Sequence, residues 1–434
     1  MNLKITGGKK LKGTVTINSS KNVAVGLMMA SLLNKNQTIL KQMVHIEEVN
    51  RLIEVLESIG VKVEWINKKD LKIIPPKKIK IKNINQVSAK KTRSVIMLMG
   101  PLIHIFKNFE IPQPGGCKLG LRTVRPHLFA LEKLGVNIKT FKKTYQISRK
   151  KLRPGQIVLY ESGDTTTENI LMACAKIKGK SVIKFASANY QVQDLCFFLQ
   201  KLGVKIKGIG TTTLTVYGKE NINKPVEYNI SEDPIEAMSF LSIAATTNSS
   251  LTIKRCPIDF LELELLKLDK MGFNYKILKK YKAKNKQSNL ADIETFPSKL
   301  KSLEEKIYAR PFPGLNIDNL PFFVPIATQA HGQTLIHDWV YEHRAIYYVE
   351  LIKLGAKIIL ADPYRVYIQG PSKLKAAEII CPPALRPAMI ILIAMLKAEG
   401  VSILRNIYSI NRGYQDIVER LNKLGAKIEI INNQ

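Results

Sequence analysis

The sequence predicts an α/β (α+β) protein built from one supersecondary unit used six times, most simply in two assemblies of three. Three observations carry that expectation. The octad Leu-x-x-apolar-Gly-apolar-x-apolar recurs at Leu56–Val63, Leu131–Ile138, Leu199–Ile206, Leu268–Tyr275, Leu351–Ile358 and Leu421–Ile428. Its glycines stand at 60, 135, 203, 272, 355 and 425, so successive copies are 75, 68, 69, 83 and 70 residues apart. With 434 residues, 45% of them hydrophobic, the chain can build two cores of about 200 residues each.

Each octad reads as a helix handing over to a strand. The leucine and the residue three positions later share a helical face. Glycine supplies the left-handed cap that ends the helix, and the alternating tail begins a half-buried strand. A unit of roughly 70 residues holds two helices and several strands, too much for one rung of a solenoid and enough for a small α+β layer. Within the fourth interval, Lys279 to Ala309 is the most charged and least periodic stretch and reads as a solvated excursion.

Composition narrows the function classes. No apolar signal region follows Met1, and the longest apolar run, Ala388 to Leu396, is too short to cross a bilayer, so the expectation is a cytoplasmic protein without a membrane partner. Cysteines at 117, 174, 196, 256 and 381 form no Cys-x-x-Cys pair, and the histidines form no ligand pair at helical spacing. Neither a disulfide frame nor a metal site is expected, and no cofactor. Gly179-Lys180-Ser181 would need glycine at 174 to make a phosphate-binding P-loop, and that position is Cys174. The formal charge is +32, but 53 of the 67 cationic residues are lysines dispersed through every repeat. Dispersion of that kind reads as compositional drift, with no specific nucleic-acid partner.

Against a lysine background the arginines stand out. Arg93, Arg122, Arg344, Arg386 and Arg412 lie in turn-like or Gly/Pro-flanked sequences spread over three of the repeats, where a planar two-pronged donor for carboxylate or phosphate would be wanted. Together they suggest one small, multiply anionic ligand. The stretch Gln113 to Arg122 places Cys117 among Gly115, Gly116 and Gly120, with cations at Lys118 and Arg122. A thiol in such surroundings can serve as a thiolate or as a proton donor near neutral pH. The remaining four cysteines sit in apolar or proline-bounded contexts and read as core.

These residues converge on a family. The chain resembles the UDP-N-acetylglucosamine 1-carboxyvinyltransferases of the enolpyruvyl transferase family, end to end. The resemblance is carried by Ser20-Lys21-Asn22, Arg93, Pro114 to Cys117 with Gly120 and Arg122, His127, Thr167-Glu168-Asn169, Asp233-x-Ile235-Glu236-Ala237, Asp318, Glu342-x-Arg344, Leu385-Arg386 and Arg412-Gly413-Tyr414. It implies a two-domain inside-out α/β barrel of six βαβαββ-like repeats, three and three, with helices inside and sheets outside. Residues 22–231 would form the domain carrying the Cys117 loop, and residues 1–21 with 232–434 the other, with the ligand cleft between them.

The implied reaction moves the enolpyruvyl group of phosphoenolpyruvate to the 3-hydroxyl of UDP-N-acetylglucosamine, releasing phosphate, as the first committed step of peptidoglycan synthesis. By resemblance, Cys117 is the acid and Asp318 the base beside the sugar hydroxyl, and Lys21 and Asn22 hold the tetrahedral intermediate. Lys21, Arg122 and Arg412 surround the phosphate of phosphoenolpyruvate, and Arg386, Arg412 and Arg344 its carboxylate. The sugar nucleotide would be met by Asn22, Arg93, the segment Arg122, Thr123, Val124, Arg125, Pro126 and His127, and by Ile317 and Asp318. Asp233 and Glu236 mark the turn into the second domain without a catalytic role. The chain departs from the family pattern at Thr123 to Pro126, where Pro-Val/Ile-Asp is usual, and at Glu161. It departs again at Asn189-Tyr190-Gln191, in place of Glu-Pro-Glu, and at Ala384 and Asn411, in place of carboxylates. Two rivals stand beside this expectation: an enolpyruvyl transferase with a different acceptor, and a relative that binds RNA and has lost catalysis. The oligomeric state is left open by the sequence.

Overall fold

The computed structural model describes residues 1–115 and 123–432. They form two compact units, one of residues 1–18 with 232–432 and one of residues 19–115 with 123–231.

The six octads end six helices in one way. Gly60, Gly135, Gly203, Gly272, Gly355 and Gly425 all have positive φ, between 79° and 95°. In five of them the N–H after the glycine donates to the carbonyl of the octad leucine, as from Val61 to Leu56 at 3.0 Å and from Phe273 to Leu268 at 2.9 Å. That is Schellman closure, and a side chain at the glycine would cost about 1–2 kcal/mol. The octad leucines are at most 1% exposed, and so are the residues three positions later, Ile59, Leu134, Leu202, Met271, Leu354 and Leu424. Each such burial stabilises by roughly 1.5–3 kcal/mol, so one short pattern both stops a helix and anchors it to the core.

Each unit holds three sheets, and one topology recurs in five of the six. Between Gln156 and Gly218 it reads in full: strand Gln156–Val158, helix Asp164–Cys174, strand Gly179–Lys184, helix Tyr190–Lys201, then strands Lys205–Lys207 and Thr213–Gly218. The first two strands pair in parallel, and the last strand lies antiparallel between the second and third. Among the described residues the sheet of Asn108–Pro112, Thr144–Arg149 and Val136–Thr140 lacks only the parallel edge strand. Three sheets are completed from far along the chain. Val226–Asn229 pairs in parallel with Thr38–Lys41, Lys12–Thr16 with Ser250–Pro257, and Asn2–Thr6 inserts between Val401–Arg405 and Lys427–Ile431. Among the described residues no sheet closes into a barrel.

Two of the helices are buried on every side. All fourteen residues of Pro234–Thr247 are buried, and Leu385–Lys397 buries everything from Arg386 to Leu396. A helix with no exposed face must be surrounded. The strands alternate instead, as in Thr213–Gly218, which buries Leu214 and Val216 between more exposed neighbours. Each unit thus carries helices inside and sheets outside. Among the described residues no helix is long and apolar enough to cross a membrane.

The lysine-rich stretch from Lys279 corrects an expectation. It is not an excursion: strands Tyr275–Lys282 and Asn289–Thr295 pair antiparallel as the third and fourth strands of their repeat. The periodicity is faint because Tyr275–Lys282 is an edge strand with no fully buried residue, so its lysines face water. Long strands and the connection up to strand Ile307–Tyr308 account for the longest of the intervals.

Candidate active site

In the unit of residues 19–231, helix Lys21–Ala30 opens with the two polar residues singled out from the sequence. Ser20 caps it by accepting from the Val23 N–H at 3.4 Å, and its first turn has no acidic residue. The positive end of the helix dipole favours an anion there, and Lys21 is the first residue of the helix. The Asn22 amide donates to the Tyr190 hydroxyl at 3.1 Å, and Ser20 Oγ to the same oxygen at 3.3 Å. Behind them Glu168 is 1% exposed and accepts from Gln191 at 3.2 Å. Burial, with Asp164 adding repulsion, lifts its carboxyl well above the usual range against the opposing pull of Gln191 and Lys21.

Arg93 is half-buried, and its Nη2 donates to the Thr123 carbonyl at 3.0 Å, while Thr123 Oγ1 accepts the Arg125 N–H at 3.1 Å. Thr123 and Arg125 are exposed, Val124 is intermediate, and Pro126 is buried in the first turn of helix Arg125–Glu132. His127 is 3% exposed, and its Nδ1 stands 3.2 Å from Asn169 Nδ2. Asn169 also accepts the Gly100 N–H at 2.7 Å and donates to the Ile96 carbonyl at 3.2 Å. Burial, helped by Arg93, lowers the His127 pKa to about 3, so the ring is neutral at ordinary pH. The ring is buried and, through Asn169, links helix Arg125–Glu132 to helix Asp164–Cys174.

In the unit of residues 1–18 and 232–432, Asp318 stands between two buried guanidinium groups. Arg386, 6% exposed, donates from Nη2 to Asp318 Oδ2 at 3.2 Å and from Nη1 to the Tyr414 hydroxyl at 2.8 Å. Arg344, 0% exposed, grips Asp338 with Nε and Nη2, the latter at 2.8 Å from Oδ1. Its Nη2 also reaches the Ile317 carbonyl at 2.8 Å. Among the described residues its Nη1 has no hydrogen-bond partner, and it lies 3.8 Å from Asp318 Oδ1. Tyr348 donates to Asp338 Oδ2, the same oxygen that Arg344 Nε meets. Asp318 thus lies between two guanidinium groups while remaining partly exposed.

Asp233 caps helix Pro234–Thr247 through the N–H groups of Ile235 and Glu236, at 2.8 and 3.3 Å. Burial lifts its pKa to about 6 against the opposing charge of Arg386, with Glu236 pushing the same way as burial. Glu236 accepts from Asn18 N–H at 2.9 Å and from Arg420 at 2.8 Å, which ties the end of the first segment to the helix. Arg412 is half-buried at the end of helix Tyr408–Asn411, two residues before Tyr414.

Of the expected site residues, the structure brings Asp318, Arg344 and Arg386 together with Ile317 in one unit, and Lys21 with Asn22 in the other. Cys117 and Arg122 lie outside the described residues. Cys174, Cys196, Cys256 and Cys381 are buried, and burial pushes the thiols of Cys174 and Cys381 up to about 12. Three residues were not singled out from the sequence: Asp338, Tyr348 and Tyr190. Only Tyr190 left a trace there, as the centre of the departure at residues 189–191.

The family profile of EPSP synthase (3-phosphoshikimate 1-carboxyvinyltransferase) matches residues 5–430. A UDP-N-acetylglucosamine 1-carboxyvinyltransferase of Treponema denticola is 35% identical over 428 residues, covering 98% of both chains. One of Campylobacter jejuni is 33% identical over 433 residues, again with 98% of each chain covered. Among solved structures, the enolpyruvyl transferase NikO from Streptomyces tendae superposes with a TM-score of 0.86 at 22% identity, covering 99% of this chain and 98% of that one. A profile spanning nearly the whole chain and relatives of matching length show that the chain belongs to the EPSP synthase family and, within it, to the UDP-N-acetylglucosamine 1-carboxyvinyltransferases.

Proposed function

We propose that this protein transfers the enolpyruvyl group of phosphoenolpyruvate to the 3-hydroxyl of UDP-N-acetylglucosamine with release of inorganic phosphate, in the cytoplasm, as the entry step of peptidoglycan synthesis. The sugar hydroxyl loses its proton to Asp318 and attacks C2 of phosphoenolpyruvate while the methylene carbon gains a proton from Cys117. The resulting ketal loses a proton from the new methyl group and expels phosphate. Lys21 and Asn22 hold the ketal, Lys21, Arg122 and Arg412 the phosphate, and Arg386, Arg412 and the remaining nitrogen of Arg344 the carboxylate. Arg93 and Thr123 to Pro126 face the nucleotide, with His127 supporting that segment from the core.

The observation that carries this reading is Asp318 between Arg386 and Arg344: one carboxylate base beside two forked cations suited to a substrate carboxylate. The test is phosphate release from phosphoenolpyruvate with a panel of UDP-sugars and shikimate 3-phosphate as acceptors. Release dependent on UDP-N-acetylglucosamine is expected. Release with shikimate 3-phosphate instead, or with no acceptor in the panel, would overturn it.

A further inference from the structure

The helices Lys21–Ala30 and Tyr190–Lys201 pack together, and at their starts one phenol hydrogen-bonds across. Tyr190 is 3% exposed, and its oxygen accepts from both Asn22 Nδ2 and Ser20 Oγ. An amide is planar, so turning Nδ2 of Asn22 toward Tyr190 turns Oδ1 to the other side. We infer that Tyr190 is a positioning residue of the transfer reaction, which fixes the rotation of the Asn22 side chain so that a set edge of its amide meets the tetrahedral intermediate. The inference rests on the role proposed above for Asn22.

The neighbours of Tyr190 show why this arrangement suits this chain. Asn189 caps helix Tyr190–Lys201 with Oδ1 at 2.9 Å from the Tyr190 N–H, and its Nδ2 donates to Asp164 at 3.0 Å. Gln191 donates to Glu168. A carboxylate at 189 would set like charge against Asp164 and remove the donor that now reaches it. Neutral amides supply donors instead, and proline in place of Tyr190 would offer Asn22 nothing to donate to. The three departures therefore form one device: two amides seat the helix on helix Asp164–Cys174, and the phenol between them reaches Asn22.

A purely structural role would show in stability, whereas a positioning role shows in turnover and only while Asn22 is present. The experiment compares wild type, Asn22→Ala, Tyr190→Phe and the double variant by steady-state phosphate release with phosphoenolpyruvate and UDP-N-acetylglucosamine, and by thermal melting. Tyr190→Phe keeps the ring in its packing. It is expected to lower kcat about tenfold, the scale of one hydrogen bond, with KM for both substrates within about threefold. In the Asn22→Ala background the same change should alter kcat less than about twofold. An equal loss in both backgrounds, or a lower melting temperature with kcat intact, would overturn the inference. If Asn22→Ala alone leaves kcat intact, the role of Asn22 falls, and that outcome is read separately from the Tyr190 effect.

Discussion

Arg386→Lys puts the forked-cation argument to its sharpest test. Arg386 spends two nitrogens on two partners, Nη1 on Tyr414 and Nη2 on Asp318, and at 6% exposure water cannot replace either. A lysine ammonium is a single point on a flexible stem and can satisfy one partner at a time, so one charge-assisted hydrogen bond is lost while the net charge is kept. Such a bond contributes about 1.5–3 kcal/mol, and with a factor of ten for each 1.36 kcal/mol the loss in kcat/KM for phosphoenolpyruvate should be about 10- to 150-fold. The assay is phosphate release at saturating UDP-N-acetylglucosamine with phosphoenolpyruvate varied. Arg153→Lys, at an exposed position, is the control and should be silent. Full activity in Arg386→Lys, or equal losses in both variants, would refute the claim that the guanidinium fork matters.

Asp318→Asn should lower turnover by about 10²–10⁴, the range for losing a general base, while calorimetry finds sugar-nucleotide affinity within a few-fold of wild type; lost binding with near-normal turnover would contradict the role. Brief iodoacetamide treatment at neutral pH followed by peptide mapping should modify Cys117 ahead of Cys174, Cys196, Cys256 and Cys381, whose thiols are buried; equal labelling of Cys174 would contradict it. His127→Gln reads the buried imidazole through pH. Its folded pKa of about 3 lies below the unfolded 6.5, so its contribution is full above pH 6.5 and is lost as pH falls toward 3. The stability advantage of wild type over His127→Gln in urea unfolding should shrink by roughly 2 kcal/mol between pH 7.5 and 5, and parallel curves at the two pH values would contradict the assignment.

Sequence alone determined the repeat and its ends. An octad is a local object: the glycine cap, the hydrogen bond back to the octad leucine and the buried leucine all lie within eight residues, so the order of residues dictates them. The arginines were legible for a similar reason, since a forked donor among lysines is a chemical choice visible in composition. Motif resemblance added Asp318, Lys21 and Asn22. Long-range pairing was not legible. Nothing near Thr38 announces that its parallel neighbour is Val226, or that Asn2–Thr6 fills a gap between strands near the other end of the chain.

Tertiary structure decided what the arginines grip. Asp338 is six residues from Arg344, a spacing shared by countless unpaired residues, and only the turn from strand Gly332–His337 into the following 3₁₀ helix aims its carboxylate at the guanidinium. His127 is buried and neutral with Asn169 beside its ring, because burial, which no motif encodes, sets its charge and partner. Tyr190 looked like a departure from pattern and became the acceptor for Asn22. Residues that cap a helix act on neighbours in the chain, whereas residues that orient a site act across it, and distance across a core is fixed only when the whole core packs.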